Sequence, residues 1–399
     1  MYFCVSLIDF SKNKRMNYFS SNFKLGILGG GQLGKMLLYD TRKFDIYTSV
    51  LEASNEAPCK IACDEFHLGN LMNYDDVYNF GKQVDVLTIE IENVNVDALE
   101  DLEKEGVKVY PASKTLRTIQ NKAQQKLFYI DNSLPTAAFS RFAYTSEIKE
   151  TINNGGLDFP FVWKSTQFGY DGTGVKVVKS FEDLKSLPNV ECIAEDLVPF
   201  KNELAVIVAR NVSGETKTYP VVEMEFHPEA NQVEYVICPA RISEEVAKKA
   251  EAIALKTSAA FKHVGLLAVE MFQTEEDEIL INEVAPRPHN SGHHTIESNY
   301  TSQFEQHIRA ILDLPLGVTD SKVGGVMVNL VGAEGYSGDV VYQNIETIMK
   351  MKGVTPHIYG KKQTRPFRKM GHVTIVHKDL NEARKIAEEV KNTIKVISK

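Results

Sequence analysis

Asn282, Glu283, Arg287, His289 and Asn290 crowd directly behind the apolar run Ile279-Leu280-Ile281. Polar groups at the edge of a buried strand are costly unless something pairs with them, and a metal ion or an anion is the natural partner. Pro286 and Pro288 exclude a helix around Arg287 and hold it on extended backbone. A second apolar run, Leu266 to Phe272, lies just upstream, and the acidic stretch Gln273 to Glu278 joins the two as a hairpin. A turn centred between Glu276 and Asp277 sets Glu270 opposite Glu283 on one face. Opposed carboxylates destabilise a strand pair. A hard divalent cation reverses that sign, and Mg²⁺ typically takes one or two carboxylates with phosphate oxygens. The competing reading is an edge hairpin with solvated acids, and a one-residue slip in register would remove the metal argument.

Other segments carry weaker chemistry. Gly29, Gly31 and Gly34 satisfy GxGxxG after an apolar strand, with Glu52 where a dinucleotide fold keeps its ribose-binding acid. That pattern suits a nicotinamide enzyme, yet any phosphate or carboxylate can use glycine amides at a helix start. Ser165 to Thr173 lies between two short strands and ends on Gly174, as a glycine-rich flap would, and Lys164 on the incoming strand could reach a phosphate. No Walker lysine precedes a helix there. Cys192 to Val198 reads as a strand leading into a link, and the strand after it starts at Glu203. Lys361 to His372 is rich in Lys and Arg within an acidic protein, which makes it an anion-site candidate.

These residues need elements to hold them. Strands at Lys24–Leu28, Ile46–Leu51, Val84–Ile89 and Val107–Pro111, alternating with helices, predict a parallel α/β domain over about residues 23–115. Ser243–Phe261 and Asn381–Val396 have helical periodicity with Glu-Lys pairs. A chain of 399 residues with 43% hydrophobic content buries a sizeable core divided over several domains. The net charge of −8 argues against a general nucleic-acid-binding surface, and no apolar run is long enough to span a membrane. Five cysteines suit free thiols in a reducing cytoplasm. Cys59, Cys63 and His67 lack an evident fourth ligand for a closed zinc site. Residues 1–22 have no secretory pattern and read as an extension without fixed structure.

Taken together, Gly29 to Gly34, Glu90-Ile91-Glu92-Asn93, Gly169-Tyr170-Asp171-Gly172, Asn282 to His293 and Arg368 to His372 resemble the 5-(carboxyamino)imidazole ribonucleotide synthases, an ATP-grasp family of purine biosynthesis. The resemblance implies an α/β and α+β multidomain fold: a Rossmann-like domain (23–115), an ATP-grasp small lobe (116–197), a large lobe (198–320) and a small C-terminal domain (321–399). It implies that ATP phosphorylates bicarbonate and that the resulting carboxyphosphate delivers its carbon to the amine of aminoimidazole ribonucleotide. In the family's terms Lys122 and Lys164 contact ATP phosphates, Gly169, Tyr170, Gly172 and Gly174 belong to the covering flap, Glu195 to Val198 hold adenine and Glu203 takes the ribose. Asn282 joins the nucleotide site, and Glu270 and Glu283 bind Mg²⁺, or Mn²⁺ in its place. Arg287, His289, Asn290 and Asp171 serve the chemistry. Gln32, Glu92, Tyr170, Asp171, Lys361 and Arg368 hold the acceptor. A cytoplasmic homodimer, free of nucleic acid or membrane, is the implied setting. The chain departs from the family at Phe168, Thr173 and Phe367. Three readings remain open beside it: a formate-dependent glycinamide ribonucleotide formyltransferase or another ATP-grasp ligase, a dinucleotide oxidoreductase, and a noncatalytic nucleotide-binding module.

Overall fold

The computed structural model describes residues 17–167, 174–227 and 232–399. Its first sheet is parallel and contains β1 (Lys24–Leu28), β2 (Tyr47–Glu52), β3 (Glu65–Leu68), β4 (Val86–Ile89) and β5 (Lys108–Tyr110), in the order β3-β2-β1-β4-β5. Leu25, Ile27, Val50, Val86 and Leu87 are wholly buried, as strands covered on both faces require. β3 was not anticipated, because Glu-Phe-His-Leu is short and polar. Helix α1 (Gln32–Lys43) follows β1. The strand order reverses between β1 and β4, which opens a crevice at their carboxyl ends, where Gly29 to Gln32 and Glu90 to Asn93 emerge. Part of the expected extension is structured, since Tyr18 packs edge-on against Phe23 at 5.2 Å. Residues 1–16 lie outside the described part.

Helix α2 (Lys122–Asp131), capped by the Asn121 side chain on Gln124 N–H at 2.9 Å, leads into the small lobe. Its antiparallel strands are β6 (Phe139–Phe142), β7 (Phe161–Ser165), β8 (Val175–Val178) and β9 (Cys192–Asp196), ordered β6-β9-β7-β8. The expected flap falls in the β7–β8 connection, at whose base Ser165 N–H donates to Gly174 C=O at 2.9 Å. Phe168, Gly169, Tyr170, Asp171, Gly172 and Thr173 fall outside the described residues.

Leu197 to Pro199 link this lobe to a larger sheet containing β10 (Phe200–Arg210), β11 (Thr216–Thr218), β12 (Val222–Phe226), β13 (Val233–Cys238), β14 (Gly265–Thr274) and β15 (Ile279–Ala285). Helix α3 (Glu244–Phe261) sits where periodicity placed it, with Ser243 as its cap. Helix α4 (Gln303–Ile311) packs against both α1 and β14. The C-terminal strands β16 (Gly324–Val331), β17 (Gly338–Gln343), β18 (Val354–Ile358), β19 (Gln363–Thr364), β20 (Lys369–His377) and β21 (Lys395–Ser398) divide in two. β16, β20 and β18 extend the large sheet in the order β15-β14-β10-β12-β13-β16-β20-β18, while β19, β17 and β21 form a separate small one. Helix α5 (Leu380–Thr393) ends before the predicted limit at Val396, because Val396 and Ile397 pair with β17 instead. No described helix is long and apolar enough to cross a membrane.

Candidate functional site

The β14–β15 hairpin sets Glu270 opposite Glu283, as expected, but by a different route. From the turn, Gln273, Phe272 and Met271 pair with Ile279, Leu280 and Ile281, a register centred on Glu276 rather than between Glu276 and Asp277. Continued unchanged, it would put Asn282 opposite Glu270 and send Glu283 to the other face. The register shifts between Glu270 and Met271, so Asn282 is an extra residue on β15. Such a bulge re-aims side chains, and here it turns Glu283 toward Glu270.

Lysines from the facing elements enter the same cleft. Lys122 Nζ lies 2.8 Å from Glu283 Oε2. Lys164 Nζ reaches Asn282 Oδ1 at 3.0 Å and Glu195 Oε2 at 2.8 Å. The Lys122 ammonium holds Glu283 well below the usual carboxylate range. Burial alone would depress Lys122, but Glu283, with Glu195 and Glu270 beyond it, raises the ammonium instead. Glu283 is set deep in the cleft, yet 43% of its side chain is open to water, so its negative charge remains available to a ligand. Among the described residues Glu203 has no lysine this close: burial and repulsion from Glu270 push it up to about 8. Glu195 faces Phe139 and Val162 within its sheet, so it meets the cleft through its carboxylate. Val198, in the inter-lobe link that follows, is half-buried.

The segment after β15 turns toward the first domain. Arg287 Nη2 pairs with Glu92 Oε1 at 2.8 Å, which joins the ATP-grasp hairpin to the loop leaving β4. Gln120 Nε2 braces that loop through the carbonyls of Glu92 and Val94 at 2.7 and 2.9 Å. His289 Nδ1 accepts from Ser291 N–H at 3.3 Å, which leaves the neutral ring's proton on Nε2, 3.1 Å from Glu270 Oε1. His293 and His294, at the end of the polar string, are core residues. Burial drives both imidazoles below their ordinary range, His294 to about 4.

The glycine turn is not an open cradle. Glu90 accepts from Gly31 and Gly34 N–H, both at 2.9 Å, and Glu52 accepts from Gly30 N–H at 2.9 Å. Two carboxylates thus occupy the amides that a dinucleotide pyrophosphate would need. Glu52 also accepts from Ala53 and Ser54 N–H, so it caps a loop rather than awaiting a ribose. The oxidoreductase expectation loses its anion site for this reason. In the first turn of α1 the N–H groups of Gln32 and Leu33 remain uncommitted among the described residues. The basic C-terminal loop approaches this turn. Lys35 Nζ donates to the carbonyls of Ile358 and Tyr359 at 3.0 and 3.3 Å, and Lys362 Nζ pairs with Glu56 at 2.8 Å. Lys361 donates to Lys369 C=O at 2.7 Å, while Arg368 is held along its own loop by Gln363 C=O at 2.6 Å.

Family models match three consecutive stretches: a ribonucleotide synthetase preATP-grasp domain over residues 23–120, an ATP-grasp domain over 127–304, and a phosphoribosylaminoimidazole carboxylase C-terminal domain over 325–386. The N5-carboxyaminoimidazole ribonucleotide synthase of Bacillus subtilis is 37% identical over 362 residues, which covers 90% of this chain and 92% of that one. The chain belongs to the N5-carboxyaminoimidazole ribonucleotide synthase family. The crystal structure of the Thermotoga maritima synthetase superposes with a TM-score of 0.86 at 41% identity, over 94% of this chain and all of that one. The Aspergillus clavatus synthase, solved with ADP and 5-aminoimidazole ribonucleotide, gives 0.85 at 34% identity, over 93% and 98% of the two chains. Fungal and plant phosphoribosylaminoimidazole carboxylases are 37–39% identical, and the chain spans 64–65% of their length.

Beyond the residues that the synthase resemblance pointed to, the structure adds Lys126, Thr136, Gln303 and Asn329. Lys126 is only 2% exposed, and its Nζ lies 3.1 Å from Glu195 and 2.6 Å from Thr136 Oγ1. It stands one helical turn after Lys122, a spacing that the sequence did offer. Gln303 donates to His289 C=O at 2.7 Å and accepts from His289 N–H at 2.8 Å. No local pattern marks Gln303 or Asn329, since both act across long stretches of chain.

Proposed function

We propose that this chain couples ATP to the carboxylation of 5-aminoimidazole ribonucleotide with bicarbonate, releasing N5-carboxyaminoimidazole ribonucleotide, ADP and phosphate. The observation that carries the reading is the Arg287–Glu92 pair at 2.8 Å, which joins the cleft of opposed carboxylates and lysines to the crevice of the first domain. A reaction that makes an acid phosphate in one place and passes its carbon to an amine in the other needs such adjacency.

Glu270, Glu283 and the Asn282 amide oxygen gather on one face, an oxygen set that fits Mg²⁺ or Mn²⁺ better than a softer metal. The bound ion would neutralise phosphate charge as the γ-phosphoryl group moves to bicarbonate. Lys122 and Lys164 would hold that group's oxygens, the linker at Val198 with Glu195 the adenine, and Glu203 the ribose. Arg287, His289 and Asn290 would seat bicarbonate and the carboxyphosphate formed from it, a fixed cation meeting charge that grows in the transition state. The acceptor would lie between Gln32, Glu92, Lys361 and Arg368, its amine placed to take the carbon while phosphate leaves. Gly169, Tyr170, Asp171, Gly172 and Gly174 would close over a labile intermediate and exclude water. A cytoplasmic homodimer is part of the proposal, to be checked by sedimentation velocity and cell fractionation.

The test is ADP release with bicarbonate, with and without aminoimidazole ribonucleotide, beside a formate plus glycinamide ribonucleotide control. Stimulation by aminoimidazole ribonucleotide is expected, with ¹³C from labelled bicarbonate in the nucleotide product. Stimulation by the formate pair alone would overturn the assignment.

A further inference from the structure

Asn290 has a side chain whose two ends differ in polarity alone: an amide turned over presents oxygen where it had presented N–H. An anion is attracted by one and repelled by the other. Asn290 Nδ2 donates to Asn329 Oδ1 at 3.0 Å, and Asn329 Nδ2 donates back to Asn290 Oδ1 at 2.9 Å. Taken alone, such a head-to-tail pair could be inverted as a unit with both bonds kept. A third bond removes that freedom. Asn329 Nδ2 also donates to the carbonyl of Val233 at 2.8 Å. A carbonyl only accepts, so Asn329 must present nitrogen to it. Both Asn329 hydrogens are then spent, its oxygen is turned to Asn290 Nδ2, and one N–H of Asn290 is left on a fixed side, uncommitted among the described residues. Asn329 is 7% exposed and sits within β16, cross-strand from His372, where water is a poor substitute for any of these partners. The backbone beside Asn290 is fixed independently by the two bonds between Gln303 and His289.

We propose that Asn329 is a positioning residue for the carboxylation, setting through Val233 which end of the Asn290 amide faces the reacting anion. The inference rests on the reading above that Asn290 lies at the bicarbonate end. Asn290→Ala, Asn329→Leu and their combination are compared with bicarbonate varied at saturating MgATP and acceptor, and the thermal shift on adding MgATP is measured for each. Each single change is expected to lower kcat/KM for bicarbonate by about 10- to 100-fold, the range for a hydrogen bond to a charged group. The double change should be no worse than Asn290→Ala, with the MgATP shift retained. Asn329→Asp keeps the shape but lacks the hydrogens that Val233 and Asn290 receive. It is expected to match Asn329→Leu, and it replaces that variant if the leucine protein does not fold. Effects that multiply in the double variant, wild-type kinetics in the Asn329 variants, or an equal loss of the MgATP shift would each overturn the positioning role. Wild-type bicarbonate kinetics in Asn290→Ala would instead remove the bicarbonate reading beneath it.

Discussion

Lys126 and Glu195 show how much charge lies under the cleft that holds the opposed carboxylates. Burial pulls Lys126 down to about 8 even with Glu195 beside it, and the same carboxylate, despite its burial, is held low by Lys164 and Lys126. Glu195 keeps Lys164 at 2.8 Å when Lys126 is removed, so Lys126→Met should cost less than the roughly 3–5 kcal/mol of a carboxylate left wholly unpaired, as read in urea unfolding. Glu195→Gln added to that variant should cost less than the same change made alone, since Lys126 is then not left without its carboxylate. Full additivity of the two changes would show that the charges do not act as a pair. Arg287 belongs to a different class. Arg287→Ala should lower carboxylation by about 10²–10³-fold, as loss of a preorganised cation does, while leaving ATP affinity nearly intact in calorimetry. An equal fall in ATP affinity would refute its place beside bicarbonate. At this scale the sequence was readable where chemistry sits in one short run, Asn282 to Asn290. It was opaque where a partner comes from far away, as with Lys126 to Thr136 or Asn290 to Asn329.

The bulge at Asn282 is the decisive feature among the elements. Opposed acids could be inferred from alternation and turn position, but the turn is centred half a residue from the expected place. The inferred pairing was right because the extra residue restores what the turn displaces. Deleting Asn282 should leave a regular hairpin in which Glu283 takes the vacated place opposite Glu270, so that both acids stay on one face. The predicted result is a folded protein by circular dichroism in which Mg²⁺ still strengthens ATP binding. Loss of the Mg²⁺ dependence would show that the opposed carboxylates need the Asn282 amide to hold the metal. Long apolar strands and α3 were legible from periodicity, since burial on fixed faces writes itself into composition. β3 and the end of α5 were not, because their pairing with β2 and β17 outweighs a weak local signal.

For the whole molecule, the junction between the first sheet and the large lobe rests on neutral imidazoles. His307 on α4 bonds Thr88 on β4 at 2.8 Å, with His263 close behind. Burial lowers His307 to about 3, and His263 and His294 to about 4. In the unfolded chain these groups take protons near pH 6.5, and the folded chain refuses them until far lower pH. Their contribution is therefore complete above about 6.5 and lost as pH falls toward 4, at about 1.4 kcal/mol per pH unit for each proton. Urea unfolding between pH 7.5 and 5 should show this decline, and His307→Gln should reduce its slope by about one proton. A slope unchanged by that substitution would place the acid sensitivity elsewhere.

The carboxylate plug in the glycine turn bears on inhibition. Glu90 and Glu52 already fill the amides on which NAD(P) would compete, so a dinucleotide would have to displace both carboxylates to gain purchase on this domain. A nucleotide-shaped inhibitor aimed at the same crevice would have to engage Gln32 and the basic loop instead. That requirement separates this chain from a dinucleotide fold whose glycine amides are open to phosphate.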